Sequence, residues 1–218
     1  LTTSDLEDKI LLFKTPQDYC RHGIFEDLFP NAEIKYIHLT RGFAQSVNGL
    51  MDGWLSDTGF FAYNMDVIND MELNITGYSD VKRFGKKWWK FDLFPNWHLY
   101  SQAPLVDVCT QQWLNAHSNI LYHGPKDTLR IKFENFLTDK QGTTDSICNY
   151  LGIESFHVDD LPQIMITEKP KMFRWHKRKD EIMEVWNAIG IRPNTGLGSQ
   201  IRNTMRALGY STDPETWI

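Results

Sequence analysis

The sequence predicts an α/β protein, a parallel β-sheet flanked by helices, and three observations carry that prediction. Short apolar runs of strand length recur at residues 10–13, 34–39 and 129–133. Continuous runs of this kind are typical of parallel strands covered on both faces. A helix start signal follows the first run and helical apolar spacing follows the second, so strand and helix alternate as in right-handed β-α-β crossovers. With 218 residues, 41% of them hydrophobic, the chain is long enough for one domain over residues 1–218 with its own core.

Taken in order, Lys9-Ile10-Leu11-Leu12-Phe13 reads as the first buried strand. Thr15 suits a helix N-cap and Pro16 the first helical position, and that helix runs to about Phe29, ahead of Pro30. Ile34, Tyr36, Ile37 and Leu39 form a strand expected to be buried on both faces. Thr40-Arg41-Gly42 turns the chain, and Phe43, Val47, Leu50, Met51 and Trp54 then fall on one face of a helix. A strand that delivers an arginine to the top of a helix is a common way to hold an anion. The competing reading of Arg41 is a salt bridge to a nearby acid.

Residues 55–100 lose this periodicity and gather Trp88, Trp89, Phe91, Phe94 and Trp97. Such a stretch reads either as a functional insertion or lid, or as a satellite hydrophobic cluster under a surface excursion. Regularity returns at Pro104, where Val108, Trp113, Leu114, His117, Ile120 and Leu121 outline a long amphipathic helix ending near Gly124. Leu129 to Phe133 is the third strand, and Thr144 to Leu151 a helix with Gly152 as its left-handed terminator. Residues 156–170 are irregular, and 171–179 is the only strongly basic run. Helices follow at Asp180–Ile189 and Gln200–Leu208, the latter closed by Gly209-Tyr210.

A net charge of −5 argues against a general nucleic-acid binder. Cys20, Cys109 and Cys148 are far apart and form no C-x-x-C pair, so they read as buried thiols in a reducing, cytoplasmic compartment rather than as disulfides or metal ligands. No apolar run is long enough to span a membrane. One glycosylation sequon, Asn74-Ile75-Thr76, is weak evidence for secretion. No phosphate-loop kinase motif occurs. His38, His98, His117, His123 and His157 read as ordinary core or surface residues.

Six segments, in order, carry a resemblance. Lys14-Thr15-Pro16, then Leu28-Phe29-Pro30-Asn31-Ala32-Glu33-Ile34-Lys35-Tyr36-Ile37-His38-Leu39-Thr40-Arg41, is similar to the nucleotide half of the sulfotransferases that use 3′-phosphoadenosine 5′-phosphosulfate (PAPS). Trp113 with Asn119-Ile120-Leu121, the run from Leu129 to Leu137, Ile147 to Gly152, Phe173-Arg174-Trp175-His176-Lys177, and Met205 to Tyr210 resemble later segments of that family. The likeness covers residues 9–54 and 104–210.

The resemblance implies a phosphate-loop-type sulfotransferase fold, PAPS as cosubstrate, and a small-molecule or glycan hydroxyl as acceptor. By it, Lys14 stabilises the leaving phosphate, and Arg41, Ser46 and Asn48 with Arg174, Lys177 and Arg178 hold the 3′-phosphate. The aromatic density of this segment, and its position between the nucleotide half and the long helix at 104–123, make Trp88, Trp89, Phe91, Phe94 and Trp97 candidates to line or cover the acceptor pocket. The serine that the family places eight residues after its arginine is here Gly49, and Pro16 and Gln17 stand where many cytosolic members carry a histidine base. His22 is the remaining candidate for that base. The family's glycine-containing 5′-phosphosulfate loop and its strand are absent from residues 1–8. This chain by itself is therefore expected to lack turnover and to leave apolar sheet surface uncovered. A catalytically inactive, sulfotransferase-like binding module is the alternative.

Overall fold

The computed structural model describes residues 10–14, 18–57, 61–160, 173–188 and 196–217. It is an α/β protein with a small parallel sheet flanked by helices. Helix α1 (Ile24–Leu28) leads into strand β1 (Tyr36–Thr40) and helix α2 (Phe43–Leu55). Strand β2 (Ala62–Asn64) and helix α3 (Met65–Ile68) precede strand β3 (Trp88–Lys90). Helix α4 (Leu105–His123), strand β4 (Thr128–Lys132), and helices α5 (Phe133–Thr138) and α6 (Lys140–Leu151) follow. Helices α7 (Lys179–Asn187) and α8 (Leu197–Ala207) come last.

β1 and β4 pair in parallel, Tyr36 opposite Thr128 through Thr40 opposite Lys132, while β2 and β3 form a separate antiparallel pair. Thus two of the three expected strands form and lie parallel. Residues 10–13 are not a strand; Ile10 and Leu12 are 70% and 85% exposed. A strand needs a neighbour for its ladder bonds. Phe13 instead sets its ring against Phe25 and Phe29, at 5.0 and 5.8 Å between centroids, on and just past α1. The N-cap and first-turn positions assigned to Thr15 and Pro16 lie outside the described residues, and the helix there is shorter than expected, a 3-10 turn at Asp18–Cys20 followed by α1.

Strand β1 is not buried on both faces. Ile37 and Leu39 are 37% and 56% exposed, while His38 and Thr40 point inward and are buried. The inward polar groups find partners there: His38 meets His117 of α4, and Thr40 meets Tyr210 and the Ile131 carbonyl. Of the cysteines, Cys109 and Cys148 are buried, but Cys20 is exposed, against expectation.

The core lies between α2 and α4. Val47, Met51 and Trp54 from α2 meet Val108, Cys109 and Trp113 from α4, all buried. Trp54 donates its indole N–H to Gln112 Oε1 at 3.0 Å, and Gln112 Nε2 donates to the Lys90 carbonyl at 2.9 Å. One buried amide thereby ties both helices to the β2–β3 pair without leaving a polar group unmatched. Trp89 is fully buried at 5.2 Å from Trp54 and 5.0 Å from Trp97, so much of the ring-rich segment packs as core. Gly152 takes φ +71°, the left-handed end expected for α6. No helix of the described residues is long and apolar enough to cross a membrane.

Candidate anion-binding site

The carboxyl end of β1 runs into Arg41 and Gly42, and α2 begins at once. Ligands of open α/β sheets bind at this end of the strands. A cavity of about 250 Å³ opens here, lined by Leu39, Thr40, Arg41, Ser46, His117 and Phe133. Three elements supply that lining: the β1–α2 junction, the inward face of α4, and the start of α5.

Arg41 is half-buried, with its guanidinium 5.2 Å from the centre of the Phe133 ring, a cation–π arrangement. Burial lowers its pKa, Glu134 and Tyr210 oppose that, and the nearby charge of Arg174 adds to it. Among the described residues Arg41 has no ion pair. The carboxylate that would pair with it is already engaged. Glu134 accepts the Gly42 N–H at 3.0 Å and the Tyr210 hydroxyl at 2.8 Å. Among the described residues the salt-bridge reading of Arg41 therefore does not hold as a direct contact, although the Glu134 charge still acts on the guanidinium, which lines the cavity.

Ser46 lines the cavity and donates its hydroxyl to the Arg41 carbonyl at 3.3 Å. Trp113 donates its indole N–H to the same carbonyl at 3.2 Å, which fixes the turn against α4. A Cβ placed on Gly49 would sit 3.8 Å from Arg41 Nη1, so the arginine folds back along the first turns of α2.

The basic run forms a second tier on the same helix. Asp52 receives Lys177 at 2.6 Å, Arg178 at 2.8 Å and Arg174 at 3.4 Å. Burial raises the Asp52 pKa, but the hydrogen bonds and charges of Lys177 and Arg178 more than offset this and leave it lowered. Asp52 thereby gathers three cations, and the charge of one of them, Arg174, reaches Arg41. Asn48 is buried and accepts from Arg178 Nη1 at 2.6 Å, so it positions that arginine and does not line the cavity.

The structure does not bring the other predicted residues here. Tyr36 donates to the His22 carbonyl at 2.9 Å, which holds His22 at the amino end of β1. Arg41 lies five residues further on, about 16 Å of strand at the usual rise. Lys14 is exposed and follows Phe13, whose ring is packed on α1. Trp88, Trp89, Phe91 and Trp97 do not line the cavity.

Two groups escaped the sequence reading. His117 lines the cavity, and its Nδ1 lies 2.9 Å from His38 Nε2. Phe133 supplies the ring under Arg41. The available signal was spacing: Trp113 and His117, one turn apart, share the buried face of α4. Compared with family models, with curated proteins and with solved structures, the chain shows no match.

Proposed function

We propose that this chain is the nucleotide-holding part of a sulfotransferase that moves a sulfuryl group from PAPS to a hydroxyl acceptor, a small molecule or a glycan. The observation that carries the reading is Arg41, a half-buried cation without an ion pair among the described residues, at the carboxyl end of a parallel strand. A guanidinium held in this way suits a phosphate, which it binds through two parallel N–H bonds. The cavity, about 250 Å³, is below the roughly 300–1,000 Å³ of pockets that take whole ligands, so it fits one end of a nucleotide. Arg41 would hold the phosphate, joined by Ser46 if its hydroxyl turns from the Arg41 carbonyl, with the Asp52-anchored cations adding long-range attraction. PAPS, when bound, supplies the activated sulfuryl group. Cys20, Cys109 and Cys148 form no disulfide among the described residues, which supports a cytoplasmic setting within the same reading.

The parallel β1–β4 pair with its arginine-bearing turn supports the phosphate-loop-type architecture that the resemblance implies. One observation favours a second reading. Lys14 and His22, the candidates for assisting the leaving phosphate and the acceptor proton, do not line the cavity. A binding module that holds the nucleotide without transferring the group accounts for this placement.

Calorimetric titration with adenosine 3′,5′-bisphosphate tests the binding. Arg41→Ala is expected to weaken affinity by about 10- to 100-fold, the worth of a charge-assisted hydrogen bond. Arg174→Ala is expected to weaken it less. Gly49→Ser has room beside Arg41 and is expected to keep or raise affinity. Unchanged affinity in both arginine variants rejects the reading. Turnover of labelled PAPS with a panel of alcohols and phenols then separates the two readings: transfer favours the enzyme, and binding without transfer favours the module.

A further inference from the structure

His38 and His117 form a buried pair behind Arg41, and the arrangement of their protons decides what the cavity offers a ligand. The two rings share one hydrogen bond, between His38 Nε2 and His117 Nδ1. His38 Nδ1 is buried and has no hydrogen-bond partner. If His38 Nε2 accepted, Nδ1 would carry a buried N–H with no acceptor, the rarer and costlier kind of orphan. If His38 Nε2 donates, Nδ1 is a bare lone pair. The second arrangement therefore prevails, and a neutral His117 then carries its proton on Nε2. Among the described residues the bond to His38 is the only one His117 makes, and His117 lines the cavity.

Two polar side chains that face this space then offer hydrogen-bond donors, the Arg41 guanidinium and the His117 imidazole, while the Ser46 hydroxyl gives its proton to the Arg41 carbonyl. Thr40 is occupied by the Ile131 carbonyl and Tyr210. Glu134 accepts from Gly42 and Tyr210 and is not part of the lining. A pair of donors suits a ligand group made of acceptors alone, which a phosphate is.

We propose that His117 Nε2–H is a further donor to the phosphate held by Arg41, and that His38 is a positioning residue that fixes the tautomer making this donation possible. The inference rests on the reading of the cavity as the phosphate end of a nucleotide site. It adds a specificity device: a ligand presenting a hydrogen-bond donor to Arg41 and His117 meets two donors, and one presenting nothing leaves them desolvated and unmatched.

Imidazole nitrogen NMR on the wild-type protein, combined with calorimetry, tests it. The expected spectrum has His117 protonated at Nε2 and bare at Nδ1, with the Nε2 proton moving on addition of inorganic phosphate. The opposite tautomer, or no movement at phosphate concentrations that produce binding heat, overturns the proposal. His117→Leu is expected to weaken binding of adenosine 3′,5′-bisphosphate by about 10- to 100-fold, with His117→Gln, which restores an N–H near the same place, within a few-fold of wild type. His38→Gln, still able to donate to His117 Nδ1, is expected to bind normally, and His38→Leu to lose the fixed tautomer. Circular dichroism confirms that each variant is folded, and the wild-type NMR result stands without any variant. Tight nucleotide binding indifferent to His117→Leu overturns this inference and leaves the nucleotide reading intact. Phosphate binding that depends on His117, with the nucleotide no tighter than inorganic phosphate, supports the donor role and overturns the nucleotide reading. Failure of both ligands to bind the wild-type protein overturns both.

Discussion

His38 and His117 also set how the fold responds to acid. Burial, together with the Arg130 charge on β4, pushes His38 down to about 4. Burial, His38 and Arg130 push His117 down to about 3. Both values lie below the ordinary 6.5 of histidine in an unfolded chain. Between roughly pH 6.5 and 4 the unfolded state therefore binds protons that the folded state refuses, and stability falls as pH falls through this window. Above about pH 7 the pair is neutral in both states and contributes no pH dependence. Each histidine adds at most about 1.4 kcal/mol per pH unit to the slope. Urea unfolding of the wild type at pH 7.5, 6, 5 and 4.5 is expected to show this loss, and the double variant His38→Gln/His117→Gln a shallower one. Equal slopes would show that the pair is not held neutral. Arg41 was legible in the sequence because a strand, a turn and a helix start are all local patterns. The His38–His117 pair was not, because its partners are 79 residues apart and meet only through the packing of α4 on β1.

At the scale of elements, α7 and α8 show how one residue sets a packing distance. Arg202 of α8 donates to the Trp186 carbonyl at 2.9 Å, satisfying one of the acceptors that the end of α7 leaves open. That approach needs Gly198, where an added Cβ would lie 2.6 Å from the same carbonyl oxygen. Gly198→Ala is expected to cost about 1–3 kcal/mol, because backbone and not a pliable side chain stands in the way. A urea midpoint unchanged from wild type would mean that the helices move apart freely. Most elements were readable from periodicity and end signals: α2 and α4 from apolar spacing, α6 from Gly152, β1 and β4 from β-branched and aliphatic runs. The run at 10–13 misled for a physical reason. Apolar composition states that a segment prefers cover, but not which surface provides it, and here Phe13 settled on α1. The ring-rich stretch was ambiguous for the same reason, since Trp89 in a core and Trp89 in a pocket have the same sequence signature.

For the whole molecule, a large amount of apolar surface faces solvent near the start of the chain. Leu12 is 85% exposed, Leu28 60% and Ile37 37%, the last on the outward face of a two-stranded sheet. Exposed apolar side chains beside strand edges favour association between molecules. Light scattering of the purified chain is expected to show mass rising with concentration, and the variant Leu12→Lys/Ile37→Lys to reduce that rise. Association unaffected by both lysines would place the sticky surface elsewhere. The Glu134 network has a consequence for how the protein is made. The turn at Thr40–Gly42 takes its partners from Trp113, Ile131, Glu134 and Tyr210. During synthesis the arginine leaves the ribosome long before any of them, and Tyr210 emerges last. The turn therefore lacks its full set of partners on a growing chain until Tyr210 has been translated, and contacts this distant in sequence close slowly. Until that closure the proposed ligand has no formed site to meet, so it cannot act as a template for folding and can only trap the turn once it is assembled.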